Sequence, residues 1–349
     1  MISPTRRRTK RLAVKFLGPH RVATVEEDLP SPAAHQVLVE TVVSAISAGT
    51  ELLIFRGQWP ADLAIDETIP ALSGTFSYPV KYGYAAVGKV IAVGSEVSEV
   101  WSGRTVFAFN PHESHFTASP DRLVVVPDTL SPEQVAFLPN METAVNLVMD
   151  GRPLIGESAV VFGQGVVGLL TVALLSRHPL GAVIAVDTCA IRRVKSAEMG
   201  AHAAVDPADP QYTKQLGRLL NRHVPGGGAD LTYEVSGNPS ALDPALAATG
   251  FGGRIVVGSW YGAKPVTVDL GGRFHRSGIQ IVSSQVSTLA AGLTRRWTKA
   301  GRLQVALAMI EEVRPESLIT HRFHVTRAAE AYELVHSGPD RAIQVMLTY

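Results

Sequence analysis

The sequence of 349 residues contains a single cysteine, Cys189. One cysteine excludes an intramolecular disulfide and any zinc site built from several cysteines. No run of 18 uninterrupted apolar residues occurs, so we expect no transmembrane helix and a cytoplasmic protein. The net charge is only +1, which provides no global field that favours nucleic acid or a membrane surface. Neither is therefore an expected partner.

The one basic cluster is TRRRTKR at residues 5–11. A signal peptide needs a longer apolar segment after such a cluster, but Lys15 interrupts the run from Leu12 to Leu17. We interpret the cluster as a frayed tail, with an electrostatic anchor as the alternative. Binding of nucleic acid through this arm is the remotest hypothesis.

The length and the pattern of apolar runs predict an α/β protein with two kinds of domain. Between residues 10 and 145, short Val/Ile/Leu runs alternate with Gly and Pro, which predicts a compact antiparallel β domain. From about residue 157, continuously apolar runs alternate with helical stretches, which predicts a parallel sheet covered on both faces. The predicted parallel strands are SAVVF, AVIAVD, DLTYEV, GRIVVG and IQIVSS.

The segment after residue 290 is predicted to return to the β domain. It contains a helix from Arg302 to Glu312, a strand-like HRFHV, a short helix from Thr326 to Ser337 and a final strand, AIQVMLTY. The expected domain limits are therefore 1–145, 146–290 and 291–349.

The clearest motif is AVVFGQGVVG at residues 159–168, which has the spacing G-x-G-x-x-G. A predicted strand precedes it and an amphipathic helix follows, as in a dinucleotide-binding loop. There the first glycine makes the turn, the second admits a pyrophosphate and the third allows close helix–strand packing. A purely structural turn is the alternative. The predicted cofactor contacts are Gly163, Gln164, Gly165, Val166, Val167 and Gly168.

Asp187, which ends the next strand, favours NAD over NADP. A carboxylate there can accept the ribose hydroxyls and would repel a 2′-phosphate. Arg192 and Arg193 leave NADP open, because arginines can accommodate that phosphate; a solvated helix face is the alternative role for both. Ligands bind at the carboxyl ends of parallel strands. The strand ends predicted to complete the cofactor site are Ser236, Gly258 and Ser284.

Together, the β domain, GQGVVG, the Asp187 strand, ADLTYEVSG, GGRIVVG and the returning tail resemble the medium-chain dehydrogenase/reductase superfamily over nearly the whole chain. The resemblance implies a GroES-like catalytic domain that is split in sequence around a Rossmann domain. It also implies a small-molecule substrate, a homodimer joined through the Rossmann sheet edge near VVGSWYG, and a nicotinamide contact at Thr143.

The zinc ligands of that superfamily are missing from the matching positions. Zinc-dependent members carry Cys-Gly-Thr/Ser-Asp where this chain has Ala48-Gly49-Thr50-Glu51, and their Gly-His-Glu matches Gly83-Tyr84-Ala85. The third ligand position falls near Pro139, and the four-cysteine structural lobe is absent. Since these side chains cannot form an N/S zinc site, we interpret the chain as zinc-independent. Its GY-x-x-VG variant is similar to the branch that contains bacteriochlorophyllide a dehydrogenase.

A hydrogen-bonding group must then replace zinc at the substrate oxygen. The resemblance places Thr50 at the proton-relay hydroxyl and Tyr84 at the metal-binding histidine, while Glu51 or Lys81 could tune or relay the proton. Each has a structural alternative. Thr50 would cap a helix that starts at Glu51, Tyr84 would be a core aromatic with a satisfied hydroxyl, Glu51 would be a structural carboxylate and Lys81 a surface charge.

Glu142 is a polar residue in the apolar helix FLPNMETAVNLVM, so it is either buried with a partner or faces the cleft; we favour the cleft and a catalytic role. His112 and His115 lie in NPHESH, which is predicted to enter a strand. Their side chains would then point to opposite faces, which argues against a metal site; a role for one of them at the cleft is the alternative. His321 and His324, in HRFHV, have the same spacing and are interpreted as ordinary strand histidines.

The leading hypothesis is a zinc-independent, NAD-dependent alcohol dehydrogenase or ketoreductase, with Tyr84 and Thr50 handling the alcohol proton. A tailoring step on a secondary metabolite is compatible with it. One alternative is an NADPH-dependent quinone or enoyl reductase, against which Asp187 argues. Another is a dinucleotide-binding protein without catalysis, since a fold does not guarantee an activity.

Overall fold

The computed structural model describes residues 9–60, 63–65, 69–220 and 227–349. Residues 5–8 of the basic cluster lie outside the described residues. Lys10 and Arg11 open the first strand, where they form ion pairs with Asp28 and Glu27. The frayed-tail interpretation is therefore wrong for these two residues, because the neighbouring strand supplies carboxylates that hold them.

Within the described residues, the strands range in length from two residues at Val124–Val125 to nine at Lys10–Gly18. In chain order they are β1 Lys10–Gly18, β2 Arg21–Asp28, β3 Val37–Ala45, β4 Ala86–Val93, β5 Thr105–Ala108, β6 His115–Ala118, β7 Val124–Val125, β8 Ser158–Phe162, β9 Ala182–Val186, β10 Ala203–Val205, β11 Ala229–Glu234, β12 Thr249–Val257, β13 Gln280–Ser283, β14 Ile319–His324 and β15 Gln344–Thr348.

The two longest helices in the described residues have 14 and 15 residues. The α-helices are α1 Ala48–Phe55, α2 Pro132–Val135, α3 Leu138–Gly151, α4 Val166–Leu175, α5 Ala190–Glu198, α6 Tyr212–Leu220, α7 Leu242–Ala248, α8 Lys299–Val313 and α9 Ala328–Ser337. Short 3₁₀ turns lie at Pro70–Leu72, Glu99–Trp101, Pro120–Arg122, Pro239–Ala241, Pro315–Leu318 and Val325–Arg327, and a π-type turn spans Leu270–Phe274. No helix within the described ranges is both long and apolar enough to cross a membrane.

The first of two compact units is β-rich. It comprises residues up to Phe137, Ile319–Gly338 and Gln344–Tyr349. Strands β1 and β2 form an antiparallel pair, and a larger sheet has the order β14-β15-β3-β4-β5-β7, with β6 also paired to β3. All its pairings are antiparallel except β14 with β15. The alternating side chains of β3 and β4 fill a core with Phe116 and Val106.

The second unit is a parallel α/β layer structure that comprises Leu138–Leu318 and Pro339–Ile343. Its six-stranded sheet has the order β10-β9-β8-β11-β12-β13, and every pairing is parallel. The strands β8 and β9 are buried at every residue, which explains their continuously apolar sequences. The predicted α/β class, with a β-rich first domain and a Rossmann-type parallel sheet, is confirmed.

The returning segment divides between the two units. Strands β14 and β15 and helix α9 lie in the first unit, as expected for a tail that returns. Helix α8 lies in the second unit instead, because it packs on α3 and α4 through buried residues such as Leu307 and Ile310. Helix α3 is also part of the second unit. The division of the structure thus falls at other residues than the expected limits of 145 and 290.

Candidate functional site

The glycine-rich loop joins β8 to α4 in the second unit. Gly163 has φ +90°, and a Cβ there would meet the Ser236 backbone at 2.5 Å. A Cβ at Gly168 would lie 1.9 Å from the Gly163 carbonyl oxygen, so the helix approaches the loop more closely than any other residue allows. Gly165 caps the N-terminus of α4, and a Cβ on it would meet no heavy atom within 4 Å. The second glycine thus borders open space at a helix N-terminus, which is where a phosphate fits.

The side chain of Gln164 holds the loop together. It is fully buried, and its Nε2 donates to the Val161 carbonyl at 2.8 Å. Its backbone N–H donates to Asp187 Oδ2 at 2.6 Å. These contacts stabilise the turn, whereas Val166 and Val167, in the first turn of α4, are half-buried.

Asp187 is 8% exposed and follows β9. Besides Gln164, it accepts the backbone N–H of Cys189 at 2.7 Å, so both carboxylate oxygens are oriented by the unit itself. Arg193 donates to the Asp187 carbonyl at 2.8 Å and pairs with Asp206 at 3.0 Å. Arg192 is half-buried, and its guanidinium lies 3.4 Å from the Ala342 carbonyl. Neither arginine lies on a solvated helix face, so that alternative is wrong.

A second polar group lies at the carboxyl end of β11, which is beside β8 in the sheet. The buried Glu234 accepts the backbone N–H of Ser236 at 2.9 Å and short hydrogen bonds from the hydroxyls of Ser236 and Tyr261. Burial and the Glu234 carboxylate raise the pKa of Tyr261, which keeps its phenol protonated. The sequence analysis singled out Ser236 and missed Glu234 and Tyr261; a charged residue that ends an apolar strand was the available signal.

The remaining predicted cofactor residues of this unit, Thr143, Ser284 and Gly258, contact other residues of the same unit. Thr143 donates its hydroxyl to the Pro139 carbonyl one turn earlier, at 2.9 Å. Ser284 Oγ accepts from the side-chain amide of Asn146 at 2.9 Å. A Cβ at Gly258 would lie 2.6 Å from Leu147, so close packing requires glycine there.

Glu142 is paired with Arg302, which lies on α8 and is 1% exposed. The guanidinium donates to Glu142 Oε1 at 2.9 and 3.1 Å, to the Thr288 carbonyl at 2.9 Å and, in short contacts, to Asn146 and the Val286 carbonyl. Burial raises the pKa of Glu142, although Arg302 opposes that shift. The structure therefore has the partnered carboxylate, the alternative that we did not favour, and a catalytic role for Glu142 stays a prediction.

In the first unit, the SAISAGTEL stretch starts a helix. Helix α1 begins at Ala48 after the N-cap residue Ser47, so Thr50 lies inside the first turn. The alternative in which Thr50 caps a helix starting at Glu51 is therefore wrong. The Tyr84 phenol donates a short hydrogen bond to Ser47 Oγ and lies 3.3 Å from Thr50 Oγ1. The hydroxyls of Tyr84, Ser47 and Thr50 thus form a cluster. The cluster is partly accessible, because Tyr84 is half-buried.

Glu51 is fully buried beneath this cluster. Its Oε1 accepts the Ser47 backbone N–H at 2.8 Å, and its Oε2 accepts a short hydrogen bond from the Tyr332 phenol and contacts His112 Nε2 at 3.1 Å. Burial and the Glu51 carboxylate raise the pKa of Tyr332 well above its usual value, so its phenol is a donor. His112 lies before β6 rather than in the strand, and its side chain is fully buried. The alternation of strand faces therefore does not apply to His112.

Lys81 belongs to an ion-pair cluster. Its ammonium contacts Glu113 Oε1 at 2.5 Å and Glu27 Oε2 at 3.3 Å. Burial alone would raise the pKa of Glu27, but Lys15, Lys81 and Arg11 lower it to about 2. Lys81 is 31% exposed and ion-paired, so it is not an isolated surface charge. Its described contacts are carboxylates rather than the Tyr84 phenol.

Comparison with known proteins finds similarity in sequence and in structure. Residues 166–304 match the family model described as zinc-binding dehydrogenase. The chain is 26% identical to the L-threonine 3-dehydrogenase of Bacillus subtilis (strain 168), over 92% of this chain and 94% of that protein. The chain is thus similar to the zinc-binding dehydrogenase model over part of its length and to an L-threonine 3-dehydrogenase over most of it.

Two solved structures share the fold. An alcohol dehydrogenase from Escherichia coli CFT073, in complex with NADH, has a TM-score of 0.79 at 19% identity and covers 98% of this chain and 100% of its own. A zinc-binding dehydrogenase from Sinorhizobium meliloti 1021, bound to NADP, has a TM-score of 0.75 at 19% identity, with the same coverage. Proteins of this fold are thus solved with either nucleotide.

The positions that the sequence analysis matched to zinc ligands do not offer the donors of an N/S zinc site. The matching positions hold the methyl group of Ala48, the phenol of Tyr84 and the ring of Pro139, none of which supplies an imidazole nitrogen or a thiolate. Within the described residues, no group of three or more His, Cys, Asp or Glu side chains could hold a metal ion. The residues present therefore do not fit the metal that the family description implies.

Proposed function

We propose that the protein is an NAD(P)-dependent oxidoreductase that interconverts a secondary alcohol and a ketone on a small molecule, without a catalytic zinc. The observation that carries this proposal is the Tyr84 phenol, which stands at a zinc-ligand position and is hydrogen-bonded to Ser47 and Thr50. The relationship to an L-threonine 3-dehydrogenase supports oxidation at a carbinol carbon. A tailoring reaction on a secondary metabolite remains our hypothesis for its setting.

The second unit fits a dinucleotide cofactor. Gly165 leaves the N-terminus of α4 open to a pyrophosphate, and Asp187 offers a carboxylate for the ribose hydroxyls. When bound, the nicotinamide ring supplies or accepts the hydride. We favour NAD, because Asp187 would repel a 2′-phosphate, while Arg192 keeps NADP as the alternative.

Tyr84 carries the proton in this mechanism. In ketone reduction its phenol would donate a proton to the substrate oxygen, and in alcohol oxidation the phenolate would accept that proton. The hydroxyls of Ser47 and Thr50 can turn their protons toward the phenolate oxygen and stabilise its charge. A phenol that is already hydrogen-bonded in place needs little reorganisation before the transfer.

The first test is a titration of metal-free protein with NADH and NADPH, followed by nicotinamide fluorescence. We expect tighter binding of NADH and a loss of that preference in Asp187→Ser. A preference for NADPH would contradict our use of Asp187 and favour the quinone or enoyl reductase alternative. Binding of neither nucleotide would refute the enzyme hypothesis.

The second test is a screen of secondary alcohols and ketones with Tyr84→Phe and a matched control. We expect Tyr84→Phe to lower kcat by about 10² or more, the usual contribution of a positioned acid or base, with NADH binding unchanged. Tyr212→Phe is the control, because that buried phenol has no hydrogen-bond partner among the described residues. Equal turnover in both variants would show that Tyr84 is not the proton donor, and binding of cofactor without turnover of any substrate would favour a silent binding protein.

We also propose a homodimer joined along the edge of the parallel sheet. Strand β13 is the last strand on that side of the described sheet, and Ile281 on it is 39% exposed. An edge strand presents unpaired backbone N–H and C=O groups that a second copy can pair with. Analytical ultracentrifugation of the purified protein decides between a dimer and a monomer.

A further inference from the structure

A buried chain of hydrogen bonds runs behind the Tyr84 cluster in the first unit. Tyr349 OH lies 2.8 Å from Ser44 Oγ, and Ser44 Oγ lies 2.7 Å from His112 Nδ1. His112 Nε2 lies 3.1 Å from Glu51 Oε2, which also accepts from Tyr332. Ser44, Glu51, His112 and Tyr332 have no solvent exposure, so every donor in the chain needs a protein acceptor.

The carboxylate fixes the direction of these hydrogen bonds. Glu51 accepts at both oxygens, so the His112 nitrogen that faces it must carry a proton. In a neutral imidazole the other nitrogen, Nδ1, is then an acceptor and takes the Ser44 hydroxyl proton. Ser44 Oγ in turn accepts from the Tyr349 phenol, whose pKa is raised by burial. Every donor and acceptor in this series of hydrogen bonds is satisfied when His112 is the Nε2–H tautomer.

His112 also touches the segment that carries Tyr84. Gly83 has φ +120°, and a Cβ at this position would lie 2.6 Å from His112 Cδ2 and Nε2. The imidazole therefore packs directly against the residue before Tyr84 while it hydrogen-bonds to the residue after Thr50. One ring thus connects the two segments that supply the phenol and the hydroxyl of the proposed proton-transfer group.

We infer that His112, as its Nε2–H tautomer, is a positioning residue that holds Glu51 and Gly83 and thereby sets the Tyr84 phenol against Ser47 and Thr50. Tyr332 and Tyr349 complete the set, because one donates to Glu51 and the other to Ser44. The expected effect of His112 on kcat rests on the proposed function, whereas its effect on the position of Tyr84 rests on the described contacts. His112 does not itself act on the substrate.

The kinetic experiment compares His112→Leu with His112→Gln and with His115→Leu. His112→Leu removes both ring nitrogens, while a glutamine retains one amide donor for Glu51. His115 is a matched control, since it is 3% exposed and its described partners are Ser114 and Glu40. We expect His112→Leu to lower kcat at least tenfold, about 1.4 kcal/mol, at unchanged NADH affinity. Partial rescue by glutamine and wild-type kcat in the control should accompany that loss.

Tyr332→Phe provides a second variant in case His112→Leu does not fold, because it removes one donor to Glu51 and keeps the ring. It should lower kcat with little change in KM. A wild-type kcat in folded His112→Leu or in Tyr332→Phe would overturn the positioning role.

A spectroscopic readout separates this inference from the proposed function. In protein with ¹⁵N-labelled histidine, long-range ¹H–¹⁵N correlations identify the His112 tautomer, and we expect Nε2–H. In protein with ¹³Cζ-labelled tyrosine, the Tyr84 signal should move in Tyr332→Phe and stay in place in His115→Leu. If no substrate is turned over, the proposed function fails while these signals still decide the inference. An Nδ1–H tautomer or an unmoved Tyr84 signal would refute it.

Discussion

Arg302 offers the most stringent test of the second unit, because it is a buried cation whose partners are all identified. Its guanidinium is 1% exposed and binds Glu142, Asn146 and the carbonyls of Val286 and Thr288. We predict that Arg302→Met strongly destabilises the unit. Methionine fills much of the volume of the aliphatic stem but supplies none of these donors.

The magnitude follows from what the substitution leaves behind. The Glu142 side chain is 11% exposed and would remain without its counter-charge, and breaking a buried ion pair in this way costs about 3–5 kcal/mol. The carbonyls of Val286 and Thr288 also lose their donor, and an unsatisfied buried acceptor costs about 1–3 kcal/mol. Relaxation of the loop around these residues offsets part of the sum, so we expect a net loss of about 3–5 kcal/mol.

The loss should depend on pH with a definite sign. Burial raises the pKa of Glu142 above its ordinary value even with Arg302 present, so the folded state binds this proton more tightly than the unfolded state. The stability that the group contributes is therefore greatest below the ordinary pKa of a glutamate and declines as pH rises through the raised value. Without Arg302 the pKa rises further, so the variant should be less destabilised near pH 5 than near pH 8.

Urea unfolding of wild type, Arg302→Met and Arg322→Met at both pH values measures these differences. Arg322 is the matched control, since it pairs with Glu133 at 49% exposure and such surface pairs contribute about 0–1 kcal/mol. Native-state hydrogen exchange of α3 amides reports the second unit separately. If Arg302→Met were as stable as Arg322→Met, or more destabilised at the lower pH, the described ion pair would not hold this unit together.

Three further predictions concern the cofactor loop and the metal. Gly165→Val should weaken NADH binding at least about tenfold, or about 1.4 kcal/mol, because the valine side chain fills the space beside the start of α4. An unchanged NADH titration of Gly165→Val would contradict the proposed phosphate position. Gly168→Ala should instead lower the melting temperature, because its Cβ would meet the Gly163 carbonyl oxygen at 1.9 Å. Dialysis against EDTA should leave turnover unchanged, and elemental analysis should find less than one zinc per protein chain. Loss of activity on dialysis that added zinc restores would refute the metal-free mechanism.

The parallel sheet could be predicted from sequence because its signals are local. Strands β8 and β9 are five-residue runs without a polar side chain except Ser158, and the glycine spacing marks the loop between β8 and α4. Strand β10 escaped prediction, since three residues carry too little pattern to distinguish a strand from a turn. Helix α1 entered the sequence analysis only as an alternative that started at Glu51, because Gly49 weakens the helical pattern after Ser47.

The contacts that organise the candidate site were beyond sequence analysis because they join distant residues. Glu51 and His112 are separated by 61 positions, and Glu142 and Arg302 by 160. A buried carboxylate signals that a partner exists, but nothing in the local pattern indicates which residue supplies it. The sequence analysis therefore named candidate residues such as Glu51 and Glu142 without identifying the partners that hold them in place.

The surroundings of Glu51 bear on our proposal of a mechanism without zinc. A carboxylate with no solvent exposure would cost several kcal/mol if it lacked partners. Here Ser47, Tyr332 and His112 supply three hydrogen bonds to it, all from within the same unit. Its burial is thus compensated without a metal ion. Because the same helix turn carries Thr50 and orients the Tyr84 phenol, the contacts that satisfy Glu51 also preserve the hydroxyl cluster. These contacts therefore order a polar site in the first unit, to which our proposal assigns the proton transfer, while a bound nucleotide would supply or accept the hydride.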